Sequence, residues 1–425
     1  MHRRLHVPNA LAEDACIAGV FNPRAEEIAA LMRSLQLQRK PLMVCSGGTT
    51  SRCAAEGHWT LDLRQSCRQI HFDPSTQHVE IGAGQTMESL LRELAKYGRS
   101  FPTGLSGLPG LGYILTGGIS PLSRSQGLAI DQILEIKGIW GDGESFVRSK
   151  PEAACCTEDQ LAWRGLCGAA PFLAVITDLK LQTHPMQPLR IWQSSLTFEQ
   201  FLELIHQAES WPDSVSLQWI WGDEIHAYGV LLADDTAAVA TLNQLQKTIL
   251  CTNVVEIDDV AGIHELPPFA LPAVSNAPIG RCHSEVVALL GPAWRSACQG
   301  VITALAELIA ERPDPRCYLA IQQLGGVASR QSQDASSLIH RKAIWKPWIT
   351  AAWPAGDSHI RALSLNWLEK VWATLEPYCD GVHLAQMHPH LPWHQRELKA
   401  AFGDWLPRLQ ELKARYDPNG ILPPL

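Results

Sequence analysis

The chain has 425 residues, of which 46% are hydrophobic and 18% charged, and a formal net charge of −8. That length is more than one simple core needs, so two domains are expected, and the composition is that of a soluble globular protein. The basic residues are scattered and leave no electrostatic footprint for nucleic acid, and no apolar run is long enough to span a bilayer as a helix.

Basic residues open the chain, but Glu13 and Asp14 interrupt any apolar signal stretch, which argues for a cytoplasmic protein. Its 12 cysteines show no C-x-x-C spacing and read as reduced, mostly buried thiols. Cys155–Cys156 is a vicinal pair, which rarely forms an unstrained disulfide. Apolar spacing predicts a helix over 24–37 and a short buried strand over 40–45, ending at a glycine turn. Strands follow at 58–63 and 78–81. Thr86 is the N-cap of a helix that Gly98 stops. The strand at 134–140 meets an Asp-Gly hairpin turn, and the β-branched alternation of 174–181 predicts another strand.

A second region begins near residue 185. Helices are expected at 198–208, 236–250, 294–311 and 362–376, with strands at 216–221, 227–232 and 318–323. Residues 265–272 form a proline-rich loop, and YDPNG at 416–420 ends the last helix.

The most informative segment is 44–131. It holds SGG at 46–48, GAG at 82–84, GLSGLPGLG at 104–112 and TGGISPLSRSQGLAID at 116–131. Glycine allows positive φ and close approach to a ligand, and successive backbone N–H groups in such turns cradle phosphate oxygens. A dinucleotide G-x-G-x-x-G turn fits poorly, because Met87 stands at the third glycine place.

The order of these turns resembles the flavin-binding domain of the vanillyl-alcohol oxidase/p-cresol methylhydroxylase superfamily, in its berberine-bridge-enzyme-like branch. The likeness continues at 159–181, 321–330, 336–345 and 405–422. It implies an α+β chain with a PCMH-type two-subdomain FAD-binding domain at 1–183 and 381–425. A cap domain with a broad antiparallel sheet is implied at 184–380. It also implies an FAD-dependent oxidoreductase that moves a hydride from a small organic alcohol, sugar or amine to flavin N5, then to an unidentified electron acceptor. A flavin-binding sensor or scaffold without catalysis is the alternative. No membrane or nucleic-acid partner is expected.

By this resemblance, Ser46, Gly47, Gly48, Thr49, Thr50 and Ser51 offer N–H groups and small hydroxyls to the diphosphate, and Thr116, Gly117 and Gly118 let a second segment approach it. Gly104, Ser106, Gly110, Leu111, Gly112 and Tyr113 fall along the flavin, Leu122 and Gly127 in the following segment, and Val175 and Ile176 toward the adenine. Many relatives attach flavin through a histidine and a cysteine; here Thr49 and Ser106 occupy those places, so the FAD is expected to be noncovalent. Gln386 takes the place of an asparagine that meets the flavin. His340 and Tyr113 are the candidate bases, Tyr113 only if its phenol were made more acidic. His383, His388, His390 and His394 match no metal spacing and read as solvated or pocket-lining. Among the 15 tryptophans, Trp219, Trp221, Trp345, Trp348 and Trp353 fall on cap strands, as pocket or core.

Overall fold

The computed structural model describes residues 5–152, 158–267 and 280–425; Cys155–Cys156 and most of the proline-rich loop lie outside them. Among the described residues there are four sheets, one of them only the short pairing of Arg99–Ser100 with His184–Pro185, and the other three organise the fold. Gly19–Phe21, Trp59–Asp62 and Leu42–Cys45 form a small parallel sheet with Trp59–Asp62 in the centre. A five-stranded antiparallel sheet runs Ile70–Asp73, His78–Gly82, Ala174–Gln182, Ile133–Trp140, Ser145–Ser149. The third sheet has eight strands, in the order Glu256–Val260, Leu189–Leu196, Ile225–Leu232, Val215–Trp221, Tyr318–Gln323, Trp345–Pro354, Cys282–Leu290, Gly381–Val382. Its neighbours are antiparallel throughout. This is the expected α+β class with a broad antiparallel cap sheet.

Local chemistry explains much of the agreement between the elements and the sequence. The helix Phe198–Ala208 starts at a capping box, with Thr197 and Gln200 each bonding the other's backbone N–H. Thr86 accepts from Ser89 N and caps Met87–Ala95, whose Met87, Leu90, Leu91 and Leu94 are buried. The predicted helix over 24–37 begins as a 3-10 turn, Ala25–Glu27, and becomes α over Ile28–Gln38. It ends at Arg39, in the left-handed region at φ 51.

Three corrections follow. The strand Cys282–Leu290 was not foreseen; it is buried on both faces over most of its length, so it carries no period-2 rhythm. His340, a candidate base within the segment 336–345 that carries the resemblance, lies on no strand but in the irregular stretch before Trp345–Pro354. Gly381–Val382, where the chain was expected to return to the first domain, pairs with Leu289 and Leu290 at the edge of the cap sheet.

Two buried side chains tie the glycine-rich part to the cap sheet. Arg124 donates to the carbonyls of Val215 at 2.7 Å, Leu324 at 2.6 Å and Trp211 at 2.8 Å. Ser51 donates to Glu285, on the strand Cys282–Leu290, at 2.7 Å.

Candidate active site

The glycine turns converge because of one hydroxyl. Ser46 Oγ donates to Ala83 O at 2.5 Å and accepts from Leu111 N at 3.2 Å, joining the SGG, GAG and GLPGLG turns. Gly47 packs against the third turn so closely that a Cβ there would meet Leu108 O at 2.6 Å and Pro109 C at 2.7 Å. Gly48 has φ 72, a conformation that favours glycine. Among the described residues, no acceptor meets the backbone N–H groups of Gly47, Gly48, Thr49 or Thr50.

These turns form one end of a cavity of about 510 Å³. The other end is the cap sheet, through Gln218, Ile220, Tyr318, Gln322, Lys346 and Trp348. Residues His383 to Met387 form a third wall. Of the residues singled out in the sequence, Ser46, Gly47, Gly48, Thr49, Thr50, Gly104 and Ser106 line the cavity. So do Gly110, Leu111, Gly112, Tyr113, Thr116, Ile176 and Gln386.

The structure places the others elsewhere. Ser51 turns away to Glu285, so its hydroxyl is already engaged. Gly117 and Gly118 stand one layer behind the wall: a Cβ at Gly117 would meet His383 Nε2 at 2.8 Å, and one at Gly118 would press on Ala129. Leu122 is buried and Gly127 ends the short helix Ser123–Gln126, both off the cavity. Val175 points to the opposite face of its strand from Ala174 and Ile176, which do line the cavity.

His340 is also away from the cavity. Its Nε2–H donates to Ala400 O at 2.7 Å, and burial lowers its pKa. Its ring fills the space over Gly381, where a Cβ would collide with it. His340 is thus a packing residue here. His340→Gln is expected to cost about 1 kcal/mol of stability, the worth of one hydrogen bond, with FAD affinity unchanged in a flavin titration. Tyr113 fails as a base for another reason: burial pushes its phenol well above the usual range, and its hydroxyl donates to Ile119 O at 2.7 Å.

The histidine group near the tail is not solvated. His388 is fully buried between Glu397, at 2.7 Å, and Glu285, at 3.5 Å. His390 meets Glu285 at 2.8 Å. Burial alone would lower the pKa of His388, but its two carboxylate partners raise it to about 10. Burial alone would raise that of Glu285; His388 and His390 hold it at about 2. His394 bonds Pro424 O at 3.2 Å. No group of metal-ligating side chains occurs among the described residues.

Sequence reasoning missed Lys346, Gln218, Gln322, Tyr318 and Arg52 on the cavity wall. Lys346 is 3% exposed, and burial pushes its amine down to about 7. Its Nζ donates to Gln322 Oε1 at 2.8 Å and lies 4.4 Å from the centre of the Trp348 ring. A lysine inside the aromatic stretch WKPW was the available signal. His383 is held at about 3 by burial and by Lys346, and its Nε2–H donates to Thr116 O at 2.8 Å. Trp348 alone of the five cap tryptophans lines the cavity; Trp219, Trp221, Trp345 and Trp353 pack in the core.

Comparison with known proteins points the same way as the cradle. Residues 18–147 match the FAD binding domain family. An FAD-linked oxidoreductase of Bacillus subtilis is 22% identical over 387 residues, spanning 86% of this chain and 81% of its own. The aclacinomycin oxidase of Streptomyces galilaeus is 22% identical over 425 aligned positions, spanning 85% of this chain and 75% of its own. The solved structure of BBE-like 1 from Physcomitrella patens superposes with a TM-score of 0.83 at 16% identity, over 99% of this chain and 92% of that one. The chain is similar to FAD-linked oxidoreductases over most of its length.

Its fold is that of the berberine-bridge-enzyme-like proteins. FAD fits the cradle on its own geometry. The open N–H groups of Gly47 to Thr50 suit a diphosphate, and the Gly112 Cα faces open space. Arg52 adds a positive charge on the same wall, lowered in pKa by burial and opposed in that by Glu285. No helix among the described residues is long and apolar enough to cross a membrane.

Proposed function

We propose that the oxidoreductase binds FAD without a covalent bond and uses it to oxidise a small organic alcohol, sugar or amine. The observation that carries this reading is one cavity with the glycine turns at one end and a polar patch of the cap sheet at the other. Bound there, FAD would supply a two-electron acceptor at N5. Gly47 to Thr50 hold the diphosphate through backbone N–H groups, with Arg52 balancing charge. Gly104 to Tyr113 and Gln386 bound the flavin. The flavin domain comprises 1–183 with most of 381–425, and the cap comprises 184–380 with Gly381–Val382 added to its sheet.

Noncovalent binding follows from chemistry at the two customary attachment places. Thr49 and Ser106 both line the cavity, and neither carries a ring nitrogen or thiol. Among the described wall residues, the other side chains of attaching type are Cys53, His383, Tyr113 and Tyr318, and burial keeps both phenols protonated. The Cys53 thiol is engaged with Cys45, and the His383 ring is committed to Thr116 O.

The test of turnover is anaerobic. FAD-loaded protein is mixed with a panel of small alcohols, sugars and amines, and loss of the visible flavin band is followed. Bleaching by at least one class is expected. A flavin that dithionite reduces but no compound in the panel does would instead identify a flavin-binding protein without catalysis.

A further inference from the structure

Resting on that reading, we infer that the substrate is a neutral compound rich in hydroxyl groups, not an ammonium compound, and that Lys346 accepts the proton of the reacting hydroxyl. The first argument is charge. Among the described residues lining the cavity there is no aspartate or glutamate, and the lysine and arginine residues there are Arg52 and Lys346. A charged amine entering this space would lose its hydration and meet no counter-charge.

The second argument is a polar row in the cap sheet. Gln218 is paired with Gln322, and Gln322 with Lys346, across three neighbouring strands. Directly opposed residues lie about 5 Å apart on one face, so the three side chains form a continuous rung on the cavity wall. Gln218 Nε2 donates to Ser216 Oγ at 3.1 Å and Lys346 Nζ to Gln322 Oε1 at 2.8 Å. Gln218 Oε1 and, on the facing wall, Gln386 Oε1 are buried with no hydrogen-bond partner among the described residues. Both amides belong to residues on the wall of this one cavity, so two unpartnered carbonyl acceptors stand beside it, and a ligand with several donors suits them. Hydroxyl groups supply them without bringing charge. The indole of Trp348 beside this rung gives the carbon skeleton an apolar face.

The third argument is which group can take a proton. The titratable groups around Lys346 on the wall are His383 from the tail, Tyr318 from the adjacent strand, and Tyr113, Arg52 and Cys53 from the FAD end. His383, at about 3, is too weak a base. Burial raises the phenols of Tyr113 and Tyr318, which stay protonated. Arg52 cannot be deprotonated in the working range, and the Cys53 thiol is engaged with Cys45. Lys346, lowered to about 7 by burial, presents a substantial fraction of free amine near neutral pH.

The step balances. Bound FAD would supply the two-electron acceptor for the hydride that the carbinol carbon gives up. The hydroxyl loses its proton to Lys346 Nζ, which becomes an ammonium and later returns the proton to solvent. The O–H electron pair becomes the second bond of the new carbonyl.

The test uses FAD-loaded protein under anaerobic conditions, with aldoses, polyols and benzylic alcohols against alkyl and benzyl amines. Bleaching by hydroxylated compounds only is expected, with a reduction rate that rises through about pH 7. Lys346→Met is expected to retain FAD, lose roughly 10²–10⁴-fold in rate and show a flat pH profile. A second readout needs no turnover. After reductive ¹³C-methylation, the resonance absent from Lys346→Met is expected to titrate near 7, apart from the surface lysines. Bleaching by amines alone, an unaltered pH profile in Lys346→Met, or a Lys346 resonance in the ordinary lysine range would each overturn the inference while leaving the flavin reading intact. Bleaching by nothing in the panel would overturn both.

Discussion

Glu285→Gln is expected to destabilise the protein by about 3–5 kcal/mol, the cost of removing one partner from a buried ion pair. Glu285 is fully buried and is the point where three parts of the chain meet. Ser51 reaches it from the FAD cradle, and His388 and His390 from the tail. Glutamine keeps the shape but leaves protonated His388 with Glu397 alone. The pH dependence has a definite sign. Glu285 is depressed from its ordinary value of 4.5 to about 2, so its contribution is full above about pH 4.5 and is lost as pH falls toward 2. His388 is raised from 6.5 to about 10, so its share is full below about pH 6.5 and is lost as pH rises through 10. Urea unfolding of both proteins between pH 3 and 10 measures this. The gap is expected to be widest near pH 5–6 and to narrow on either side. An equal gap at every pH would show that the cluster acts by packing alone.

Gly47→Ala is expected to weaken FAD binding by about ten- to a hundredfold, from the roughly 1–3 kcal/mol cost of overpacking. Its added methyl would collide with the backbone of Leu108 to Gly110, which cannot step aside as a flexible side chain would. The SGG and GLPGLG turns would separate, and the bond from Leu111 N to Ser46 Oγ would lengthen. Fluorescence titration with FAD reads the loss. Gly300→Ala, in the helix Cys298–Ala310 and off the cavity, is the comparison, because a Cβ there meets nothing within 4 Å. An unchanged affinity in Gly47→Ala would mean that turn closure does not limit FAD binding.

The cradle was legible in the sequence because its chemistry is local. Positive φ, close approach and open N–H groups demand glycine at fixed places, so 46–48 and 104–112 stand out without any knowledge of the fold. Helix Phe198–Ala208 was legible for a similar reason, having its cap and its apolar stripe within one segment. The cap side of the cavity was not legible. Gln218, Gln322 and Lys346 are far apart in the chain and come together only through strand register. A strand such as Trp345–Pro354, buried almost throughout, gives no alternation to show which residues share a face. His340 misled because its neighbours resembled a family segment, while its ring direction depends on packing over Gly381 and Ala400. The Ser46 hydroxyl was assigned to the ligand, yet it holds the turns together, a role set by two contacts from distant segments.

The most direct measurement is the visible spectrum of the purified, FAD-saturated protein before and after acid precipitation. The expected result is a yellow protein whose flavin passes wholly into the supernatant as FAD. Flavin retained in the pellet would contradict noncovalent binding and direct attention to Cys53 and His383. A protein that stays colourless with excess FAD would contradict the cradle itself.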